Sequence, residues 1–237
     1  MARPKRAECI NYLTIGGRKM TYITVADGAD YPQATHINQF TYLDEGWIPA
    51  TGTWTYASAS TITIPTDGTT DYRKYMKVRF KQGAGYKYYI CSAIAATTLT
   101  VFVNTDYTVA NAAITDVYYS FHDAPYGFPT LFNYTPTLVG ISGYTTAHYT
   151  IVGSIAIVNI AATSKDITGT TTVTLSHPFT VAAGLYQTYA VYIGGWGFSF
   201  LSISNNIFQI YKTAASGNWL GSETAVSVRF TAQMILA

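Results

Sequence analysis

Apolar and polar residues alternate along most of the chain, the period of a strand with one face buried. In YMKVRFKQ (75–82), Met76, Val78 and Phe80 share one face, and Lys77, Arg79 and Lys81 share the other. QGAG (82–85) supplies a glycine-bearing turn and YKYYICSAI (86–94) returns, which predicts a β-hairpin. TITI (61–64) turns Ile62 and Ile64 inward, and TLTVFV (98–103) does the same with Leu99, Val101 and Val103. DVYYSF (116–121) alternates Val117, Tyr119 and Phe121. No stretch carries a 3.6-residue period; TDYRKYM (70–76) reads as one helical turn at most.

A break falls at HDAPYGFPTLFNYTPT (122–137), where Pro125, Pro129 and Pro136 interrupt pairing and fix an extended course. Longer, blander strands follow: GSIAIVNIAAT (153–163), DITGTTTVTLSHPFT (166–180), YAVYIGG (189–195), FSFLSIS (198–204), IFQIYKT (207–213) and AVSVRFTAQMILA (225–237). In FSFLSIS the apolar phase slips between Phe200 and Leu201, which predicts a bulge. The expected fold class is all-β throughout. It divides into an N-terminal extended arm over 1–40, a small β-barrel or sandwich module over 41–124, and a jelly-roll-like β-sandwich over 125–237. The arm holds a basic tip (Arg3, Lys5, Arg6) and a short hairpin around Gly16–Gly17.

Charge changes the picture. Charged residues make up 11% of the chain, against about 25% in an ordinary globular protein. Threonine, serine and tyrosine stand in their place. From Ala124 to Ala237 only Lys165, Asp166, Lys212, Glu223 and Arg229 are charged. A free domain of this kind would carry one charge per roughly 1,200 Å², too few to keep small domains apart. Much of that surface is therefore expected to lie against neighbouring subunits, since obligate interfaces deplete charge at their centres. Threonine suits the role. It forms strands well, and its hydroxyl can meet water or another subunit at little desolvation cost.

Cys9 and Cys91 show no CxxC or regular framework, which fits a chain made in a reducing cytoplasm. The opening MARPKRAECINYLTIGG lacks the unbroken apolar stretch of a signal peptide. The longest apolar run, IVGSIAIVNIAA (151–162), is too short and polar to span a bilayer. We expect no membrane insertion.

The stretch from Gly46 to Thr137 contains GTWTYASASTITIP, KVRFKQ, DYTVANAAIT and GFPTLFNYTPT. It resembles a module of structural proteins of tailed bacteriophages and prophages, and covers about two-fifths of the chain. Such proteins occur as fibres, decorations or tail-tip components, with the module ahead of a C-terminal β-sandwich. VTLSHPFTVAAG (173–184) resembles the strand–proline–strand corner of trimeric jelly rolls of the tumour-necrosis-factor-like kind. The resemblance implies a virion protein made in the bacterial host cytoplasm, a homotrimer, with capsid, neck or tail proteins as partners. It implies no catalytic residues.

Candidate chemistry is sparse. Asp166 and Glu223 are the only acids of the C-terminal half, a poor basis for a glycan-cleaving carboxylate pair. His36, His122, His148 and His177 show neither metal nor triad spacing, and His177, before Pro178, reads as structural. IGGWGFSF lacks the spacing of a phosphate loop and reads as a tight turn. DGADYP (27–32) and DGTTD (67–71) could clip Ca²⁺, but Asp–Gly is also the ordinary turn dipeptide. The cluster Arg73, Lys74, Lys77, Arg79, Lys81 and Lys87 reads first as a solvated sheet face, then as a dock for an acidic partner. Nucleic acid comes last, because the net charge is only +2. Arg3, Lys5 and Arg6 are the candidate virion-anchoring residues. Trp196 and Trp219, near expected sandwich loops, are candidate contacts to host-surface glycan in an alternative reading as a tail-tip receptor-binding protein. The expected function is a non-enzymatic virion structural protein without metal or cofactor.

Overall fold

The computed structural model describes residues 9–15, 18–24, 45–167, 172–182, 188–194, 197–204, 206–211 and 223–237. The protein is all-β and built from three antiparallel sheets. The first is a hairpin of β1 (Cys9–Ile15) and β2 (Arg18–Thr24), registered from Cys9↔Thr24 to Ile15↔Arg18 around the expected glycine pair.

The second sheet has seven strands: β3 (Ile48–Pro49), β4 (Thr55–Ser58), β5 (Thr61–Thr63), β6 (Lys77–Gln82), β7 (Gly85–Ala95), β8 (Thr98–Val101) and β9 (Thr115–Ser120). Their order is β3-β9-β6-β7-β8-β5-β4. The β6–β7 hairpin turns at Gly83, whose φ of 74° is open to glycine at no steric cost. Alternation places Ile62, Ile64, Met76, Val78, Phe80, Leu99, Val101 and Tyr119 in one buried cluster around Trp54. A helical turn sits at α1 (Gly68–Asp71), slightly before its expected position, where Asp67 caps it by accepting from the Thr69 amide. Val103 departs from expectation. Strand β8 ends at Val101, the Phe102 amide donates to Ile90, and Val103 is left 60% exposed.

The third sheet has nine strands: β10 (Phe132–Asn133), β11 (Leu138–Val139), β12 (Thr146–Val152), β13 (Ile155–Ile167), β14 (Val173–Ser176), β15 (Thr188–Gly194), β16 (Gly197–Ser204), β17 (Ile207–Tyr211) and β18 (Glu223–Ile235). Strand β13 pairs β18, β14 pairs β17 and β15 pairs β16. These are the outer, middle and inner pairs of one long hairpin. Additional pairing of β15 with β18 and of β16 with β17 rolls that hairpin up, the winding of a jelly roll. Tyr149 of β12 and Leu175 of β14 come from opposite ends of the strand order yet share one buried cluster, so the sheet folds over on itself. The bulge expected at Phe200/Leu201 is absent: both ladders of β16 run without a register shift. Irregularities fall instead between Ala162 and Ile167 in β13, where Ala225 opposite adopts φ 56°.

The second and third sheets share a core. Ile90 and Phe102, from the smaller sheet's segment, belong to the cluster of the larger one, and Phe102 packs edge-on to Phe179. Polar ties cross the same seam. The Thr105 amide donates to Asn133, Tyr149 Oη donates to Val103, and Asp106 takes both the amide and side chain of Asn133.

Candidate functional site

The basic row of β6 is the first candidate, and the structure corrects its reading as a solvated face. β6 lies between β7 and β9, and its second side is covered by Trp47, Tyr86 and Tyr118 at Arg79 and by Phe128 at Lys77. Lys77 is 1% exposed, donates Nζ to the carbonyls of Ile151 (3.0 Å) and Tyr75 (3.3 Å), and sits 5.7 Å from the Phe128 ring. Burial pushes its pKa down, with Asp123 opposing. The Arg79 guanidinium lies over Trp47 (4.5 Å), Tyr118 (4.6 Å) and Tyr86 (4.9 Å), and pairs with Glu45 at 3.5 Å. Lys81 pairs with Asp116 at 2.6 Å, next to a register shift in which Asp116 takes φ 48°. Arg73 covers Phe121, Lys74 donates to Ala237, and Lys87 donates to Thr108. All six cations have an intramolecular contact; Lys77 is buried and Arg79 largely covered, while Arg73 and Lys74 stay exposed at the end of the row. Aromatic residues interleaved with the cations were the available signal, since Arg stacks on such rings.

The acids are likewise engaged. Asp67 caps α1, Asp123 accepts from the Gly153 amide, and Asp166 accepts from the Ala225 amide. The side chain of Glu223 lies outside the described residues, as does DGADYP (27–32). Among the described residues no cluster of three His, Cys, Asp or Glu side chains could hold a metal ion. Cys91 is buried, and its thiol pKa is pushed up to about 12, which removes the thiolate at neutral pH. Arg3, Lys5, Arg6, Trp196 and Trp219 lie outside the described residues; the strands β15 and β16 do flank 195–196 as a hairpin.

What the sequence pattern missed is a surface. Strands β12, β13 and β18 lie side by side, in unbroken register along β13 from Ile155 to Ala161. Their inward residues, such as Tyr149, Val158 and Ala232, are buried. Their outward residues form cross-strand rows: His148–Asn159–Thr231, Thr150–Ile157–Gln233 and Val152–Ile155–Ile235. In the last row the exposures are 47%, 43% and 41%, high for three aliphatic side chains in contact order. Among the described side chains from Ile155 to Ala161 and their partners on β12 and β18, the one fixed charge is Arg229, drawn toward Thr163 Oγ1 at 3.3 Å. No single strand carries the signal; the row exists only once the β12–β13 hairpin is in register with the distant β18.

No family model matches the chain, no curated protein is similar to it, and no solved structure matches it.

Proposed function

We propose that the chain is a non-enzymatic structural component of a tailed-phage particle, assembling with copies of itself through the large sheet. The observation that carries the reading is the outer face of β12, β13 and β18: polar but almost uncharged, with the aliphatic row Val152–Ile155–Ile235 left in water. Association of identical copies removes that row from solvent, and most soluble oligomers are closed, symmetric assemblies of identical chains. A homotrimer in the virion, anchored through Arg3, Lys5 and Arg6 to capsid, neck or tail proteins, is the form this takes. The resemblance of residues 46–137 to phage structural modules supports the setting.

Light scattering on the purified chain is expected to give three times its 25.9 kDa mass. The variants Ile155→Lys and Ile235→Lys should shift it to single copies without loss of fold, because both positions are exposed. A monodisperse single-copy wild type at high concentration would remove self-assembly. Mass spectrometry of purified particles tests the setting separately: a chain missing from them is not a virion protein.

A further inference from the structure

At the seam between the two larger sheets lies a cleft of about 230 Å³. Its lining includes the exposed Val103 and Thr135, the half-buried Pro178, and the buried Asn104, Tyr134 and His177. The pieces come from three places: the segment after β8, the segment after β10, and the turn after β14. The wall is pre-formed. The Thr105–Asn133 and Tyr149–Val103 hydrogen bonds clamp two of these segments, and the His177 amide donates to Asn206 at 2.9 Å.

His177 is the unusual member. It is 4% exposed, its ring lies against Phe208 (4.7 Å between centroids) and Phe179 (5.9 Å), and neither ring nitrogen has a hydrogen-bond partner. Buried polar atoms without partners are rare, and each costs about 1–3 kcal/mol. A half-turn of the imidazole about χ2 exchanges nitrogens for carbons at no change of volume, so the ring edge that lines the cleft can present a nitrogen to it. Tyr134, also in the lining, adds a buried hydroxyl without a hydrogen-bond partner. No lining residue is an acid, a lysine or an arginine. An ionic group entering here would lose its water with no counter-charge in return. A hydroxyl, which both donates and accepts, matches a neutral imidazole, an amide and threonine hydroxyls alike. The exposed Val103 and the half-buried Pro178 supply an apolar rim for a C–H face. The volume is that of roughly seven or eight waters, close to one pyranose ring with its hydroxyls.

We propose that this seam cleft binds one uncharged sugar ring, with His177 as its buried polar contact. This stands apart from the assembly reading, and it gives host-glycan recognition a location that needs neither Trp196 nor Trp219. The ring is either a free monosaccharide or the terminal residue of a longer glycan. The same groups would hold both.

The test is NMR on the full chain with His177 labelled at the ring nitrogens, titrated with glucose, galactose and N-acetylglucosamine. Glucuronate and glucosamine serve as charged controls. At least one neutral sugar should saturate with a dissociation constant of about millimolar order and move the His177 nitrogen resonances. His177→Phe, which keeps the ring stack, should weaken binding at least about tenfold. Thr135→Trp, at an exposed position of the lining, should block it while leaving the fold intact, so the test survives a misfolded His177 variant. Tighter binding of an oligosaccharide ending in the preferred sugar assigns the glycan source; equal binding assigns the free sugar. The proposal is overturned if no neutral sugar moves the His177 signals, if the charged controls bind equally, or if Thr135→Trp binds as wild type. It is also overturned if a crystal grown with the sugar shows only ordered water against His177.

Discussion

At pH 7 the His177 imidazole is neutral, because burial pushes its pKa down to about 4. An unfolded histidine takes up its proton near pH 6.5. Between those two values the unfolded state binds more protons than the folded one, so stability falls as pH is lowered through this window. The loss amounts to about 3 kcal/mol once pH 4 is reached. Thermal unfolding measured from pH 7 to pH 4 should show that decline, and His177→Phe should flatten it. Position alone marked His177 as structural, since it precedes a proline in an extended turn. Its burial was not legible, because Phe179 is a near neighbour in the turn but Phe208 reaches the ring from β17.

The element that departs most from its sequence reading is β6. Period-2 alternation correctly assigned Met76, Val78 and Phe80 to the core. Alternation says only that the opposite face differs in kind, and whether that face meets water depends on what packs there. In this fold Trp47, Tyr86 and Tyr118 arrive to sandwich Arg79. Arg79→Ala is expected to destabilise the protein by about 2 kcal/mol, through lost stacking and an unpaired Glu45. Arg79→Lys should recover only part of that, because an ammonium on a flexible stem lacks the planar face. Urea unfolding of the pair of variants checks both statements. An Arg79→Ala variant as stable as wild type would return the row to the solvated-face reading.

Across the whole molecule, the second and third sheets are joined by a shared core rather than by a linker. Phe102 leaves β8 and enters the cluster of the larger sheet, where Phe179 and Tyr75 pack on it. Calorimetry should therefore show one transition for both sheets, and Phe102→Ala should lower it as a unit by about 3 kcal/mol or more. Two separate transitions, with only one responding, would mean the sheets unfold independently. The edges of both sheets are short: β3 and β10 are two residues each, as is β11, and Pro49 lacks the amide an edge could donate. The proposed association therefore uses the broad outer face of β12, β13 and β18 rather than strand-to-strand addition.

Local chemistry determined the strands, the Gly83 turn, the hairpin about Gly16–Gly17 and the inward set from Ile62 to Tyr119, because alternation and turn preference act between near neighbours in the chain. The scarcity of charge after Ala124 was equally plain. Only the tertiary structure decided the rolled pairing of β13 with β18, the covering of Lys77 and Arg79, and the exposure of Val103. It also decided the Val152–Ile155–Ile235 row and the cleft beside His177. Each of these joins segments far apart in sequence, and what lies on the far side of a strand is set by whichever distant segment packs there, which no local period encodes.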